Sequence, residues 1–184
     1  FVADKQGYFK EQGLTVTFVP AQSAAERDQL MQAGQIDGMN NDMVSTVLYN
    51  KGAVKIKVVR TAIQAAPTWS QYSIFSAKDS GIQSARDLKG VEIGISQATV
   101  IDYITYRLLT DAGLQPADVK TTNVIKIADR LQLLASGQLK AATLPEPLAT
   151  LAEQQGALRV VPDKDNPLHS NSVISFSAQA LKDK

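Results

Sequence analysis

The sequence predicts an α/β fold of two similar lobes with a cleft between them, and an internal repeat carries most of this prediction. Residues 26–36 read ERDQLMQAGQI and residues 129–139 read DRLQLLASGQL. Upstream of each copy, an amphipathic stretch ends in Gly-Leu and an apolar run follows, TVTFVPA or TTNVIKI. A unit of helix, strand, helix and strand therefore occurs in both halves. Small ligands bind in clefts of the kind expected between two such lobes.

Composition and charge exclude several classes of protein. The 184 residues are 44% hydrophobic and 20% charged, which is ordinary for a soluble globular protein. The 19 basic and 18 acidic residues are mixed along the chain, so we expect neither a nucleic-acid surface nor a polybasic membrane patch. The lack of cysteine removes disulfides, thiolate nucleophiles and cysteine metal sites. No run reaches the roughly 20 apolar residues that span a bilayer.

The N-terminal part alternates between helical and strand patterns. A helix is predicted over residues 2–12, where a glycine ends it, and the apolar alternation at 14–19 predicts a strand. Ser23 and Glu26 form the capping-box pattern of a second helix. The next expected elements are a short strand, a polar loop, a helix and a buried strand, at 36–39, 40–42, 43–50 and 54–60.

The segment AIQAAPTWS at 62–70 lacks periodicity and separates the two copies of the repeat, so a connection between lobes is predicted here. Beyond it, strands are expected at 72–77, 91–95, 122–125, 140–144, 158–161 and 173–177. Helices are expected at 84–88, 99–112, 128–136 and 146–155. The resulting division is lobe 1 at 1–62, the connection at 63–71, lobe 2 at 72–177 and the start of a return to lobe 1 at 178–184.

Several segments in register, FVADKQGYFKEQGLTVTFV, LMQAGQIDG, DLKGVEIGIS and LLASGQLKAATLPEP, resemble the periplasmic substrate-binding proteins of the nitrate, sulfonate, taurine and thiamine-precursor import family. The resemblance spans nearly the whole chain. It implies a two-lobed type II periplasmic-binding-protein fold with mixed, mainly parallel sheets. Such proteins begin with a strand before the first helix and continue into helices that return to the first lobe. Because neither feature occurs in these 184 residues, we expect either a fragment or only the ordered core of a longer chain, with an exposed hydrophobic sheet edge.

The resemblance also implies a role as the ligand-capture subunit of an ATP-driven importer. Its partners would be a small-molecule ligand, a membrane permease and an ATPase, and no nucleic acid. The implied location is the periplasm or the cell exterior, with a lipid anchor on the full-length protein as one option. We expect a monomer without a cofactor.

The first group of candidate ligand-binding residues follows the strand at 91–95. Ser96, Gln97, Ala98 and Thr99 open a helix, and helix N-termini present unpaired N–H groups to anions. The resemblance carries the family's anion-coordinating loop onto the same positions. The alternative is that Ser96 or Thr99 is only an N-cap.

Two further groups are candidates. Asn40, Asn41 and Asp42 offer donors and acceptors, although such residues are common in turns and Asp42 would also complement a helix dipole. Glu146 lies in the acid-proline step that the family uses at the cleft, where it would bind an amine or ring N–H, or cap its own helix. Trp69 is a candidate lid over the ligand, or packed core.

The sequence gives little evidence for a catalytic or metal-binding site. His169, the only histidine, lies in a polar stretch and is expected to face solvent. No G-x-S-x-G, H-E-x-x-H, Walker A or G-x-G-x-x-G motif occurs. The segment DGMNND at 37–42 lacks the ligand spacing of a calcium loop, so no metal site is predicted.

We therefore predict a non-enzymatic receptor that closes on a small organic anion or zwitterion, similar to a sulfonate or taurine. One alternative ligand is an aminopyrimidine thiamine precursor or another aromatic compound. One alternative class is an enzyme of thiamine or menaquinone precursor synthesis on the same fold, although the thiamine-pyrimidine kind relies on a cysteine-rich stretch that is missing here. Another is the effector-sensing half of a transcription regulator, which would need a DNA-binding helix pair.

Overall fold

The chain folds around two β-sheets that the backbone connects by two crossings. The computed structural model describes residues 2–165, 169 and 171–183. The strands in this part are β1 Gly38–Asp42, β2 Ile56–Gln64, β3 Tyr72–Ser76, β4 Glu92–Ile95, β5 Lys120–Asn123, β6 Ala141–Pro145, β7 Leu158–Pro162 and β8 Asn171–Ser177. The α-helices are α1 Val2–Lys5, α2 Tyr8–Glu11, α3 Ala24–Gln32, α4 Met43–Tyr49, α5 Val100–Asp111, α6 Ile127–Ala135, α7 Leu148–Gln154 and α8 Ala180–Asp183.

The smaller sheet has the strand order β1-β8-β2, and both pairings are antiparallel. Its central strand is β8, which lies far from both neighbours in sequence. This placement corrects the expected boundary of lobe 2 at 72–177, because the strand at 171–177 completes the sheet of β1 and β2. Local sequence patterns identify β8 as a strand but contain no information about its partner.

The larger sheet has the strand order β5-β4-β6-β3-β7. Strand β4 is parallel to β5 and β6, whereas β3 is antiparallel to β6 and β7. The predicted mixed α/β fold is therefore confirmed. The expectation that the sheets are mainly parallel is corrected, because four of the six described strand pairings are antiparallel.

Both faces of the larger sheet are covered. Ile74 and Phe75 are adjacent in β3 and point to opposite faces, and each is 0% exposed. Ile74 belongs to a buried cluster that includes Ile104 of α5, and Phe75 belongs to one that includes Leu134 of α6 and Ala149 of α7. Helices on both faces explain why every residue of β3 is buried.

The sequence repeat corresponds to two similar units, α3-β1-α4 and α6-β6-α7. A glycine with positive φ follows the first helix of each unit, Gly34 at 68° and Gly137 at 74°. In both units that helix contacts the strand that follows it. The units differ in burial, since α3 buries only Met31 whereas α6 buries three residues, among them Arg130.

Several N-terminal predictions are wrong. Residues 14–19 belong to no strand and are all exposed, with Phe18 at 56%. The predicted buried strand exists as β2, but only Ile56 in it is buried. The helix expected at 2–12 is interrupted at Gly7, where φ is 78°. An apolar alternation becomes a buried strand only where a partner strand and a covering layer exist, and the described residues supply neither for 14–19.

The backbone crosses between the sheets twice, first between β2 and β3 and again between β7 and β8. The first crossing lies within the predicted connection at 63–71, although β2 continues to Gln64. Residues 166–168 and 170, which belong to the polar stretch around His169, lie outside the described residues, as do residues 1 and 184.

Candidate ligand-binding site

The carboxyl ends of β1 and β4 each lead into a helix, and these two helices meet. Helix α4 contacts α5, and Val44 of α4 packs against the buried cluster that includes Val100 and Ile101 of α5. Strand β1 belongs to the smaller sheet and β4 to the larger. The candidate residues at 40–42 and 96–99 therefore flank a contact between elements of the two sheets.

The predicted loop at 40–42 is the end of β1. Asn40 is exposed, whereas Asn41 is buried. The side-chain amide of Asn41 donates to Oγ1 of Thr46 at 3.0 Å, and its Oδ1 accepts the hydroxyl of Ser175 at 2.8 Å. Asn41 thus connects β1 to α4 and β8. Of the two asparagines, only Asn40 faces solvent.

Asp42 is the N-cap of α4. Its Oδ1 accepts the backbone N–H of Ser45 at 2.7 Å, and its Oδ2 accepts the Ser45 hydroxyl at 2.9 Å. Arg27 joins this group, since its Nη2 donates to Oγ of Ser45 at 2.7 Å and lies 3.8 Å from Oδ2 of Asp42. The Nε of Arg27 donates to Oδ1 of Asp28. Burial raises the pKa of Asp28 in spite of this contact. In the sequence, Arg27 stands out only as a member of the repeat.

The hydroxyl groups at the start of α5 are used within the protein. Ser96 Oγ donates to the carbonyl of Ile125 at 2.9 Å. Thr99 Oγ1 donates to the carbonyl of Ser96 at 2.7 Å and accepts the N–H of Ile101 at 3.2 Å. For Thr99, the capping alternative is therefore the observed one. The N–H of Gln97 donates to Oδ1 of Asn123 at 3.1 Å, whereas the side chain of Gln97 is exposed and would be open to a ligand.

Ala98 has a strained backbone conformation in this loop. Its φ is 57°, and it is the only non-glycine among the described residues with a positive φ. Its N–H donates to Oδ2 of Asp102 at 2.9 Å. Backbone strain of this kind concentrates at functional sites. Since a carboxylate already binds this N–H, an anionic ligand that takes the same donor must displace Asp102.

Arg130 lies behind the same loop and was not predicted as a site residue. Its side chain is 0% exposed, and Nη2 donates to Oγ of Ser96 and Nη1 to the carbonyl of Thr143, both at 2.9 Å. None of the ion pairs within the described residues includes it. Burial lowers its pKa to about 10. The available signal was an arginine on the buried face of an otherwise apolar helix pattern.

Glu146 is engaged at the start of α7. Its Oε2 accepts the N–H and the hydroxyl of Thr150 at 3.0 and 2.8 Å, and its Oε1 accepts Nη2 of Arg159 at 3.1 Å. Arg159 also binds Glu153, and this hydrogen bond lowers the pKa of Glu153 and raises that of Arg159. Of the two alternatives for Glu146, the geometry shows capping.

Trp69 lies in the first crossing between the sheets. It forms a tight turn with Ala66, in which backbone hydrogen bonds of 2.8 and 2.9 Å run in both directions. Trp69 is 40% exposed, so it is not part of the packed core. A role as a lid stays a prediction.

A polar cluster between the two crossings was missed by the sequence analysis. The backbone N–H groups of Gln71 and Tyr72 donate to the two carboxylate oxygens of Asp163 at 2.9 and 3.0 Å, and Asp163 is fully buried. The side-chain amide of Gln71 donates to the hydroxyl of Ser172. Burial raises the pKa of Tyr72 to about 12, and the charge of Asp42 adds to this effect. These partners lie too far apart in sequence for a local pattern to reveal them.

His169 was expected to face solvent, but it is largely buried. Its side chain is 15% exposed, and Nε2 lies 2.8 Å from Oδ2 of Asp111, the last residue of α5. Its ring meets that of Tyr103 edge-on at 6.1 Å between centroids. His169 therefore fastens the second crossing to α5, and its partner lies at the opposite end of that helix from Thr99.

The site offers hydrogen-bond donors rather than metal ligands. Within the described ranges, no three His, Cys, Asp or Glu side chains are grouped so that they would hold a metal ion. None of the helices in that part of the chain combines the length and the apolar character needed to cross a bilayer. Backbone N–H groups at a helix start, with a guanidinium behind them, suit an anion.

The fold is the one found in solved structures of periplasmic binding proteins. Residues 1–147 match the family model described as NMT1/THI5 like. Since this match covers most of the sequence, the chain belongs to the NMT1/THI5-like family, which confirms the resemblance noted in the sequence. A search of curated protein sequences finds no match.

Two similar solved structures are sulfonate-binding proteins. The alkanesulfonate-binding protein SsuA from Xanthomonas axonopodis pv. citri, bound to MOPS, has a TM-score of 0.81 at 17% identity, over 99% of this chain and 63% of that one. The periplasmic aliphatic sulphonate-binding protein SsuA from Escherichia coli has a TM-score of 0.77 at 18% identity, over 99% and 62%. The chain thus spans less than two thirds of either protein.

An enzyme shares the same fold. DSZB in complex with biphenyl-2-sulfinic acid has a TM-score of 0.69 at 15% identity, over 98% of this chain and 66% of that one. Binding proteins nevertheless predominate among the neighbours. At such identities the likeness establishes the fold, and the ligand must be argued from the site.

Proposed function

We propose that this chain is the ligand-capturing part of a solute receptor for an ATP-driven importer, and that its ligand is a small organic anion or zwitterion of the sulfonate class. The two sheets would act as the lobes, with β8 in lobe 1 and the two crossings between the sheets as the hinge. A ligand between the starts of α4 and α5 would contact both lobes only in the closed form, and would therefore favour closure.

The observation that carries this proposal is the chemistry at the start of α5. The N–H of Ala98 already binds a carboxylate, that of Asp102, and the guanidinium of Arg130 lies behind Ser96 in the same loop. A helix start favours negative charge for the same reason. The similar fold of the two SsuA proteins, which are named for binding sulfonates, supports the same ligand class.

The proposed partners are a membrane permease and an ATPase, and the proposed location is the periplasm. Periplasmic binding proteins among the similar structures support both. A binding experiment should include taurine, a zwitterion of the proposed class, and nitrate, an inorganic anion.

Two alternatives receive less support from the site. An amine-bearing pyrimidine would need a free carboxylate, yet Asp42 caps α4 and Glu146 is bound by Thr150 and Arg159. An enzyme would need an activated nucleophile near the cleft. The chain contains no cysteine, and its only histidine is paired with the last residue of α5.

The proposal is tested by titrating the chain with ethanesulfonate, taurine, nitrate and an aminopyrimidine while following thermal unfolding and Trp69 fluorescence. A ligand at about 100 times its Kd should raise the free energy of unfolding by about 2.7 kcal/mol. We expect this rise for ethanesulfonate or taurine. The emission of Trp69, the only tryptophan, should change at the same ligand concentrations because it lies in the hinge.

The Trp69→Phe variant is the control, since it should keep the thermal shift and lose the fluorescence signal. Stabilisation by the aminopyrimidine alone would contradict the anion class. No stabilisation by any of the four ligands, in a chain that unfolds cooperatively, would contradict the receptor proposal for this chain.

A further inference from the structure

A buried arginine without an ionic partner in the described residues lies next to the candidate site. Arg130 is fully buried, it takes part in none of the ion pairs of that part of the chain, and its Nε has no hydrogen-bond partner there. Buried charges in proteins are normally paired, because transfer of an ion from water is costly. The guanidinium of Arg130 therefore requires an explanation beyond packing.

The surrounding residues leave space for this side chain. Gly94 of β4 has no side chain, and a Cβ at this position would lie 3.4 Å from Cγ of Arg130 and 2.6 Å from Cδ1 of Leu139. The guanidinium then reaches Ser96, just after β4, and the carbonyl of Thr143 in β6. Arg130 thus joins the end of β4 to the middle of β6, its neighbour in the sheet.

The hydrogen bonds alone do not require a charge. A neutral amide could also donate to the carbonyl of Thr143 and to the hydroxyl oxygen of Ser96. A charge inside a protein acts beyond contact distance, since the effective dielectric is lower than that of water. The start of α5 contributes a partial positive charge at the same loop. Asp102 is the acidic group bonded to this loop, at the N–H of Ala98.

We propose that Arg130 is a positioning residue of the anion site: it holds Ser96, and its charge makes the site prefer a fully ionised ligand, such as a sulfonate, over a neutral ligand of the same shape. This inference rests on the proposed function and deepens it. The ligand anion supplies the negative charge that Arg130 lacks among the described residues.

The test compares ethanesulfonate with ethanesulfonamide, which has a similar shape without the charge. Their affinities are measured by calorimetry for the wild-type chain, Arg130→Gln and Arg130→Lys at constant ionic strength. Glutamine keeps a hydrogen-bond donor, and lysine keeps the charge. We expect Arg130→Gln to bind ethanesulfonate about tenfold more weakly, which is about 1.4 kcal/mol, and to change ethanesulfonamide binding by less than about twofold. Arg130→Lys should retain most of the preference for the ionised ligand.

An equal loss for both ligands in Arg130→Gln would show a purely structural role and overturn the inference. An unchanged preference of Arg130→Gln for ethanesulfonate over ethanesulfonamide would also overturn the inference. The proposed function would still stand in that case, because the wild type binds ethanesulfonate. No binding of ethanesulfonate by the wild type would contradict both.

A second measurement decides the question if Arg130→Gln does not fold. The Nε–H resonance of Arg130, identified by its loss in Arg130→Lys, should shift when the wild-type chain is saturated with ethanesulfonate and should not shift with ethanesulfonamide. Equal shifts with both ligands, or no shift with either, would overturn the inference.

Discussion

Burial changes the ionisation of Tyr72 and Arg130 in opposite directions. It raises the pKa of Tyr72 to about 12 and lowers that of Arg130 to about 10. The cause is the same, because a poorly solvated environment disfavours the charged form of each group, phenolate in one and guanidinium in the other. Tyr72 follows the first crossing between the sheets, and Arg130 lies behind the start of α5.

Tyr72 should make stability fall at high pH. Its ordinary pKa is 10.0, so above that pH the unfolded chain loses a proton that the folded chain keeps until about pH 12. Unfolding then releases a proton, and rising pH favours unfolding by up to about 2.7 kcal/mol over this interval. Urea unfolding at neutral pH and between pH 10 and 12 measures the effect.

The Tyr72→Phe variant is the matched control. At neutral pH it should be less stable by up to about 1 kcal/mol, because it loses the interaction of the phenol hydroxyl with Ser172. Above pH 10 the gap to the wild type should close or reverse. A gap that stays constant with pH would mean that Tyr72 ionises alike in the folded and unfolded chains.

The two crossings between the sheets behave as one element because Asp163 joins them. Its carboxylate lies in the second crossing and accepts backbone N–H groups of Gln71 and Tyr72 at the end of the first. The hydroxyl of Ser70 accepts the N–H of Lys164 at 3.3 Å. Hinge segments that are bonded to one another in this way should move together when the proposed lobes close.

We expect Asp163→Asn to lower the free energy of unfolding by about 1.5 to 3 kcal/mol, because an amide has only one acceptor oxygen for two N–H groups that now bond to a charge. Urea unfolding followed by circular dichroism measures this change. Asp79→Asn, at an exposed turn, is the matched control and should change the free energy by less than about 0.5 kcal/mol. Equal effects of the two substitutions would mean that the hydrogen bonds of Asp163 do not stabilise the connection between the two crossings.

The two sheets differ in how well the described residues cover them. The larger sheet carries helices on both faces, whereas β2 of the smaller sheet is exposed at every position after Ile56. No described strand pairs with its second edge, since β2 is the last strand in the order β1-β8-β2. Exposed edges with apolar side chains favour association between chains. This feature bears directly on the expected monomeric state.

Val59→Lys should therefore keep the chain monomeric at protein concentrations where the wild type associates. Val59 is 51% exposed in β2, so a charge there should block edge pairing at little cost to the fold. Light scattering over a concentration series measures the mass. Thr61→Lys adds the same charge on the same strand without removing an apolar side chain, and should reduce association between chains less than Val59→Lys does. Identical masses for the wild type and Val59→Lys at all concentrations would contradict this role of β2.

Sequence patterns were sufficient for several features that depend on residues a few positions apart. The repeat predicted a helix and then a strand around each Gly-Gln pair, and α3-β1 and α6-β6 match this, with Gly34 and Gly137 just after the helices. Ser23 caps α3 as predicted, and its Oγ accepts the N–H of Glu26 at 3.1 Å. Caps and helix ends are local because their hydrogen bonds join residues within about one turn.

Tertiary structure alone decided which strands pair and which candidate side chains are already engaged. Strand β8 pairs with β1 and β2, while the strand-like segment at 14–19 pairs with no strand among the described residues. Arg130 reaches Ser96 across 34 positions, and Gln71 reaches Ser172 across 101. Hydrogen bonds over such separations form only after the chain has folded back on itself. Periodicity and spacing therefore predict the elements and the loops of the candidate site, whereas the partners of its side chains follow from the packing of the sheets.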